Sequence, residues 1–485
     1  MNRLSSATMS MLMPDILTPT YQRASITSGI VHFGSGNFHR AHQAVYCDAL
    51  LNEGETQWGI TGVSLRSPDV RNRLLPQNFL YTQATLGGTT SYRVIGSVLD
   101  VLVADENPQA VIDAIAHPKN QLVSTTITEK GYCLANGEID LDHPGIVSDR
   151  ESLIHPQTTY GYLAAALISR AGDLGRPLTV LCCDNMHAGG EHLRRGVDML
   201  LQDHRPKAKS WVAQNVSFCS SMVDRVTPAT DRSLKAEVAQ RLGLVDAAPV
   251  AAEPFTQWVI EDRFAGERPP FDRVGALFVG DIEPFERIKL RFLNAGHSML
   301  AALGYLAGDR FIHEALNRPA LASFTEQALK RNVLPVIPVP EGVTGEAYID
   351  EVLERFGNSN LPYAVLQVGS DSSQKIQQRW LPSIDEALAQ DGDVAYLAFA
   401  LAAWVSFIRK ALVNDELNDP LKDAFVRDQQ VDSSSDVQRF LSLIGAERFA
   451  CYSNVLFMAT VEQFHKEIEA MGVEQALASS QFFET

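Results

Sequence analysis

The sequence predicts an α/β protein in two parts, a mostly parallel sheet wrapped by helices followed by a predominantly α-helical portion. Three observations carry this. Short β-branched runs at 30–33, 60–65, 122–128 and 178–182 alternate with helical stretches such as 39–52 and 159–169, the pattern of a parallel sheet with crossover helices. A Gly34-Ser-Gly36 turn follows the first run. From residue 283 onward, long helical periodicities take over (286–307, 319–331, 345–356, 394–412 and 435–443) with few strand signals. The expected domains are therefore 1–284, Rossmann-like, and 285–485, helical.

Taken in order, residues 1–16 are mixed and carry Asp15, without the basic and apolar regions of a secretory signal, and read as an exposed lead-in. Gly34 and Gly36 form the G-x-G of a dinucleotide turn, where missing side chains let backbone approach a pyrophosphate and the next helix's first amides bind it. His39 replaces the third glycine, so helix and strand are expected to pack less closely than in the full fingerprint. A bare G-x-G is also the mark of an ordinary turn. Trp58 to Leu65 reads as the second parallel strand, with Arg66 and Asp69 beyond it. A carboxylate there suits the ribose hydroxyls of NAD and repels the phosphate of NADP, so Asp69 favours NAD. Arg66 pulls the other way, and either residue is also readable as merely solvated.

Asn185 falls just past the 178–182 strand, at the sheet edge where open α/β sheets bind ligands. The proline-rich run from Leu334 to Pro340 reads as an extended connection. Residues 394–408 are the most apolar stretch; about fifteen residues fall short of the ~20 needed to span a bilayer, so a buried helix is expected.

The most chemically suggestive segment is Lys289-Leu-Arg-Phe-Leu-Asn294-Ala-Gly-His297. On an α-helix at ~100° per residue, the asparagine lies ~140° and the histidine ~80° from the lysine, with Asn294 and His297 three apart. Leu290, Leu293, Met299 and Leu300 surround them. Burial there would lower the lysine's pKa toward neutrality and fit it to take a proton. Taken alone, the segment reads better as an ordinary helix whose lysine snorkels outward and whose histidine is a satisfied core residue.

Length and composition frame these sites. A chain of 485 residues, 45% hydrophobic, buries a large core and divides into two or three domains. A net charge of −17 disfavours nonspecific attraction to nucleic acid or anionic lipid, and an anionic substrate needs a local basic cluster. The six cysteines form no C-x-x-C pair, which argues against zinc and suits a reducing cytoplasm. His39 and His42, one helical turn apart, are the residual metal-binding alternative; the expectation is no metal.

Six segments occur together in order: Gly34-Ser-Gly-Asn-Phe-His-Arg-Ala-His-Gln, Thr128-Glu-Lys-Gly-Tyr, Cys183-Asp-Asn, Met222-Val-Asp-Arg, Glu253-Pro-Phe-Thr-Gln-Trp and the Lys289 segment. Over roughly residues 28–382 the chain resembles the mannitol dehydrogenase family, the polyol-specific long-chain dehydrogenases that include mannitol 2-dehydrogenase, arabinitol dehydrogenase, and the fructuronate and tagaturonate reductases. The resemblance implies metal-independent hydride transfer between NAD(P) and a secondary alcohol, with Lys289 as general acid and base. It implies that Asn185 and Asn294 donate to the developing oxyanion, that His297 positions substrate, and that Glu286 serves proton release. A surface glutamate is the alternative for Glu286. Phe38, His39 and Arg40 would lie with Gly34, Gly36 and Asp69 around the cofactor. Asp224 would bind substrate hydroxyls, with a buried Asp224–Arg225 pair as the alternative. Catalysis would lie in a cleft between the domains.

The resemblance is strongest to uronate reductases in Glu129-Lys-Gly-Tyr and Ser373-Gln-Lys-x-x-Gln-Arg, where Lys375 and Arg379 would bind a sugar-acid carboxylate. Fructuronate, reduced to D-mannonate, is thus the first expectation. Asp371-Ser-Ser departs from the family's Asp-Gly-Ser, and Pro362-Tyr-Ala stands where uronate enzymes carry basic residues. Mannitol and fructose are the runner-up, and a non-catalytic dinucleotide sensor is the alternative of a different class. A monomer or small homo-oligomer with a small-molecule substrate is expected, with no nucleic-acid or membrane partner.

Overall fold

The computed structural model describes residues 1–135, 137–172, 175–428 and 436–480. The chain divides into two compact units, Met1–Ile282 and Glu283–Thr485.

The first unit is built on eight strands: β1 (Ser28–Phe33), β2 (Gly59–Ser64), β3 (Val98–Val103), β4 (Leu122–Thr125), β5 (Leu178–Cys182), β6 (Val216–Asp224), β7 (Gln257–Glu261) and β8 (Leu277–Val279). Their spatial order is β8-β7-β6-β5-β4-β1-β2-β3. Strands β3 to β6 thus run in the doubly wound order 3-2-1-4-5-6, with β7 and β8 added at one edge. All neighbours are parallel except β6 and β7. A smaller sheet places Tyr81–Thr85 between Val250–Ala252 and Ser91–Ile95.

Every residue of β4 and β5 is buried, because helices cover both faces of a parallel sheet. Successive side chains point to opposite faces, so each central strand feeds two cores. Val31, Val123 and Val180 pack with Tyr160, Leu163 and Leu193 on one side. Ile30, Leu122 and Leu181 pack with Leu50, Trp58 and Trp258 on the other.

Two local differences from the sequence reading lie beside the glycine turn. The helix expected at 39–52 begins earlier and is broken, running Asn37–Ala41 and Gln43–Asn52 with His42 between them at φ −123°, ψ −93°. The strand expected at 122–128 ends at Thr125, because Ile127 and Thr128 turn away with their amides bonded to Asp184.

The second unit is helical. Ala395–Val413 is its central helix, long and apolar enough to cross a bilayer, yet with 78% of its most apolar window buried inside the protein. It packs against Ala295–Ala307 and Val455–Met471. The expected 345–356 helix forms as Gly345–Phe356. That expected at 435–443 forms as Asp436–Leu443, Ser435 lying outside the described residues. The Leu334 to Pro340 run is not wholly extended, since Leu334–Val336 makes a short 3₁₀ turn continuing from the helix before it. The helix expected at 286–307 is three pieces: α-helix Glu283–Ile288, π-helix Lys289–Asn294 and α-helix Ala295–Ala307.

Candidate active site

In the first unit, the relevant residues gather at the carboxyl edge of the parallel strands. Gly34 follows β1, Asp69 the end of β2, and Asn185 the end of β5, while Asp224 closes β6. Gly34 has φ +94°, and a Cβ there would sit 2.0 Å from Thr126 O, so the protein's own packing demands glycine. Gly36 differs. A Cβ there would meet no protein atom nearer than Gly34 O at 3.8 Å, so glycine answers no internal need and leaves the backbone open to close approach by a phosphate.

The missing third glycine has a physical replacement. His39, fully buried, stacks on His32 of β1 with ring centroids 3.6 Å apart and planes 12° from parallel. His32 bonds Ser124 Oγ and Thr126 Oγ1 at 2.8 Å each, and these hydroxyls lie 2.9 Å from Gln43 Oε1 and 2.8 Å from Gly34 O, respectively. The turn is thus held by a polar chain beneath it. Burial pushes the His32 pKa down to about 3, and holds that of His39 well below the usual range, with His32 adding to the effect. Both rings are neutral near neutrality. His32 was not singled out in the sequence; a histidine inside an apolar strand run was the available signal.

Phe38 is half-buried and stacks on His42. The Arg40 guanidinium lies in the core, donating to Ala248 O at 2.5 Å and Asn37 Oδ1 at 2.7 Å, so its side chain braces the helix against a neighbouring segment. Asp69 is exposed at the first position of Asp69–Leu74, 3.8 Å from Arg73. Asn185 is exposed in the loop before helix Gly189–His204. Its neighbour Asp184 was missed as a functional residue: its carboxylate accepts from Ile127 N (3.1 Å), Thr128 N (2.8 Å) and the Tyr132 hydroxyl (2.6 Å). Asp224 is buried. Arg225 directs its guanidinium to backbone carbonyls, Ala41 O at 2.6 Å and Glu253 O at 3.0 Å, and burial lowers its pKa to about 10.

In the second unit, the expected α-helical geometry around the lysine is corrected. Lys289–Asn294 is π-helical, and Ala295 N donates to Leu290 O, five residues back, as well as to Phe292 O. Bonding at i→i+5 widens the turn and brings residues five apart toward one line, so Asn294 lies much nearer the Lys289 side than ~140° away. Lys289 is 9% exposed, and Glu286, one turn earlier, is half-buried. His297 stacks on Phe356 and meets the Tyr363 ring edge-on at 5.6 Å. Its Nε2 is buried without a hydrogen-bond partner among the described residues. Burial, then the charges of Arg379, Lys375 and Arg355, push the His297 pKa down to about 3.

Arg379 Nη1 donates to Asn294 O at 3.0 Å and to Ser298 Oγ at 2.7 Å. Lys375 Nζ caps the short helix Val365–Val368, donating to Val368 O (3.1 Å) and Ser370 O (2.5 Å). Asp371 sits at φ +52°, and Ser372, in the position where glycine was expected, accepts the Trp404 indole N–H at 3.0 Å and contacts Asp419.

Residues 28–273 match the mannitol dehydrogenase Rossmann domain and residues 281–471 the mannitol dehydrogenase C-terminal domain. The chain belongs to the mannitol dehydrogenase family. It is a dehydrogenase acting on CH–OH groups, which sets aside a non-catalytic sensor. Among relatives, it is 36% identical to mannitol 2-dehydrogenase of Phaeosphaeria nodorum, over 98% of this chain and 85% of that one. It is 35% identical to D-mannonate oxidoreductase of Escherichia coli, over 96% and 98%. A solved structure of Pseudomonas fluorescens mannitol 2-dehydrogenase, a ternary complex with NAD and D-mannitol, matches with TM-score 0.83 and 34% identity, covering 98% of this chain and 99% of that one. Among the described residues of this dehydrogenase, no group of three or more His, Cys, Asp or Glu side chains is arranged to hold a metal ion.

Proposed function

We propose that this dehydrogenase uses NAD, without a metal, to interconvert a sugar-acid secondary alcohol and its ketone, D-mannonate and fructuronate. The observation that supports the acid preference is the pair of cations Lys375 and Arg379, one turn apart on helix Ser372–Arg379, with Arg379 bonded to the carbonyl of Asn294, in a chain of net charge −17. A local cationic field is what an anionic substrate needs on an acidic protein. The full-length similarity to D-mannonate oxidoreductase supports the same reading.

The open backbone at Gly36 and the exposed Asp69 carboxylate fit a dinucleotide, whose phosphates the Gly34–Gly36 turn would hold and whose ribose hydroxyls Asp69 would bind. The nicotinamide supplies the hydride acceptor and donor. The chain supplies orientation and proton handling. Neutral Lys289 removes the hydroxyl proton in oxidation, and its ammonium returns a proton to the alkoxide in reduction. Asn185 and Asn294 donate amide hydrogens to that oxygen as its charge grows, His297 orients substrate, Asp224 binds its hydroxyls, and Glu286 passes the proton to solvent.

A second reading is a neutral pair, mannitol and fructose. It is favoured by Lys375, two of whose protons are directed to backbone carbonyls, by Tyr363 against His297, and by the mannitol 2-dehydrogenase relatives. The deciding experiment follows nicotinamide absorbance as protein and NADH meet fructuronate, tagaturonate or fructose. Fructuronate is expected to show the highest kcat/KM; a fructose preference replaces the acid reading. Lys289→Ala is expected to keep NADH binding and lose most turnover, and a strong chelator is expected to leave the rate unchanged.

A further inference from the structure

Where a π-helix passes back into α-helix, the period can slip by a residue unless contacts from outside the helix hold the junction. The π-helix Lys289–Asn294 passes into α-helix at Ala295, and the two carbonyls at that junction receive side-chain donors from a single site. Arg379 Nη1 reaches Asn294 O at 3.0 Å, and Trp380 Nε1 reaches Ala295 O at 3.2 Å. Arg379 adds a bond to Ser298 Oγ one turn on. Both donors sit where helix Ser372–Arg379 ends and Leu381–Leu388 begins. Trp380 is fully buried and so cannot touch a substrate.

We infer that Trp380 is a positioning residue for the reaction: its indole N–H, beside Arg379, holds the junction at Asn294 and Ala295 so that residues 289–294 keep the π register. In that register Lys289 and Asn294, five apart, approach one line; in a continuous α-helix they turn ~140° apart. A proton carrier and an oxyanion donor then share a face only while the junction is held. The inference rests on the proposed role of Lys289.

Trp380→Phe keeps an aromatic ring and deletes the donor, and benzothienylalanine at 380 does so with the tryptophan shape retained. Each is expected to lower kcat by about tenfold to a hundredfold, to leave the KM for NADH unchanged, and to shift the pH profile of kcat. Amide exchange across 289–298 should quicken in both. Wild-type kcat, pH profile and exchange in the folded benzothienylalanine protein overturn the inference. Lys289→Ala, run alongside, separates the two claims. If it retains turnover, the lysine mechanism falls and this inference with it; if it is inactive while the 380 variants behave as wild type, only the positioning role falls.

Discussion

The Asp184 carboxylate accepts the backbone amide of Thr128 at 2.8 Å, tying the loop after β5 to the loop after β4. Thr128 has φ +63°, a left-handed conformation that a β-branched residue adopts only under constraint, at a cost of order 1–3 kcal/mol. The constraint is the carboxylate, which also holds Ile127 N and the Tyr132 hydroxyl. Asn185 is the next residue, so the bond that fixes the Thr128 turn also fixes the loop bearing a proposed oxyanion donor.

Asp184→Ala should therefore weaken both fold and catalysis. Removing an acceptor shared by three donors is expected to lower the unfolding free energy by about 1–3 kcal/mol, read from urea denaturation. Turnover should fall further than stability alone explains, by the displacement of Asn185, whose own truncation is expected to cost roughly 10²–10³ in kcat. Wild-type kcat in a folded Asp184→Ala protein would detach the loop contact from the chemistry.

The two turn glycines should separate cleanly. Gly34→Ala forces a side chain into Thr126 O and into a left-handed backbone, so the protein should fold poorly or with a much lower Tm. Gly36→Ala meets only an ordinary contact with Gly34 O at 3.8 Å, so Tm should hold while the Kd for NADH, by fluorescence titration, rises by about tenfold or more. Equal NADH affinity in Gly36→Ala would remove that residue from the cofactor site.

Much of this was readable from the chain, and the failures have local causes. Strand β5 and helix Gly345–Phe356 appear where periodicity put them, because a fully buried parallel strand and an amphipathic helix each leave a strong pattern. The π-helix around Lys289 left none: its apolar spacing is compatible with an α-helix, and the register depends on donors from Arg379 and Trp380, about ninety residues on. Arg40 shows the same limit, since its partners Asn37 and Ala248 are near and far in sequence and only the fold brings the latter close. Asp184 stood in a quoted motif, yet its partners belong to another strand's loop.

Ser372, standing where glycine was expected, has a structural role. It receives the buried Trp404 indole N–H, so Ser372→Ala leaves that donor unpaired and is expected to lower stability by about 1–3 kcal/mol. Its hydroxyl bonds Trp404 and Asp419, neither of which takes part in the proposed chemistry, so kcat should stay within about twofold. Differential scanning calorimetry with steady-state rates checks both; a large kcat loss at unchanged Tm would move Ser372 into the substrate machinery.

The stacked pair His32 and His39 predicts how the first unit responds to acid. Burial holds the folded His32 pKa at about 3 and that of His39 well below the ordinary ~6.5, so below that value the unfolded chain binds protons the folded chain refuses. Stability contributed by these neutral rings is present above pH ~6.5 and is lost as pH falls from there toward the folded values. Between about pH 7 and pH 5 the His32 ring should contribute a loss of roughly 2 kcal/mol, and His39 a loss in the same direction. Amide exchange at buried Trp58 and Trp258 as urea rises reads this unit. His39→Phe keeps a flat ring on His32 and removes one titration, so its stability should fall less steeply with acid, by about one bound proton. An unchanged slope would mean that His39 titrates alike in the folded and unfolded chain, and would remove it from the acid response.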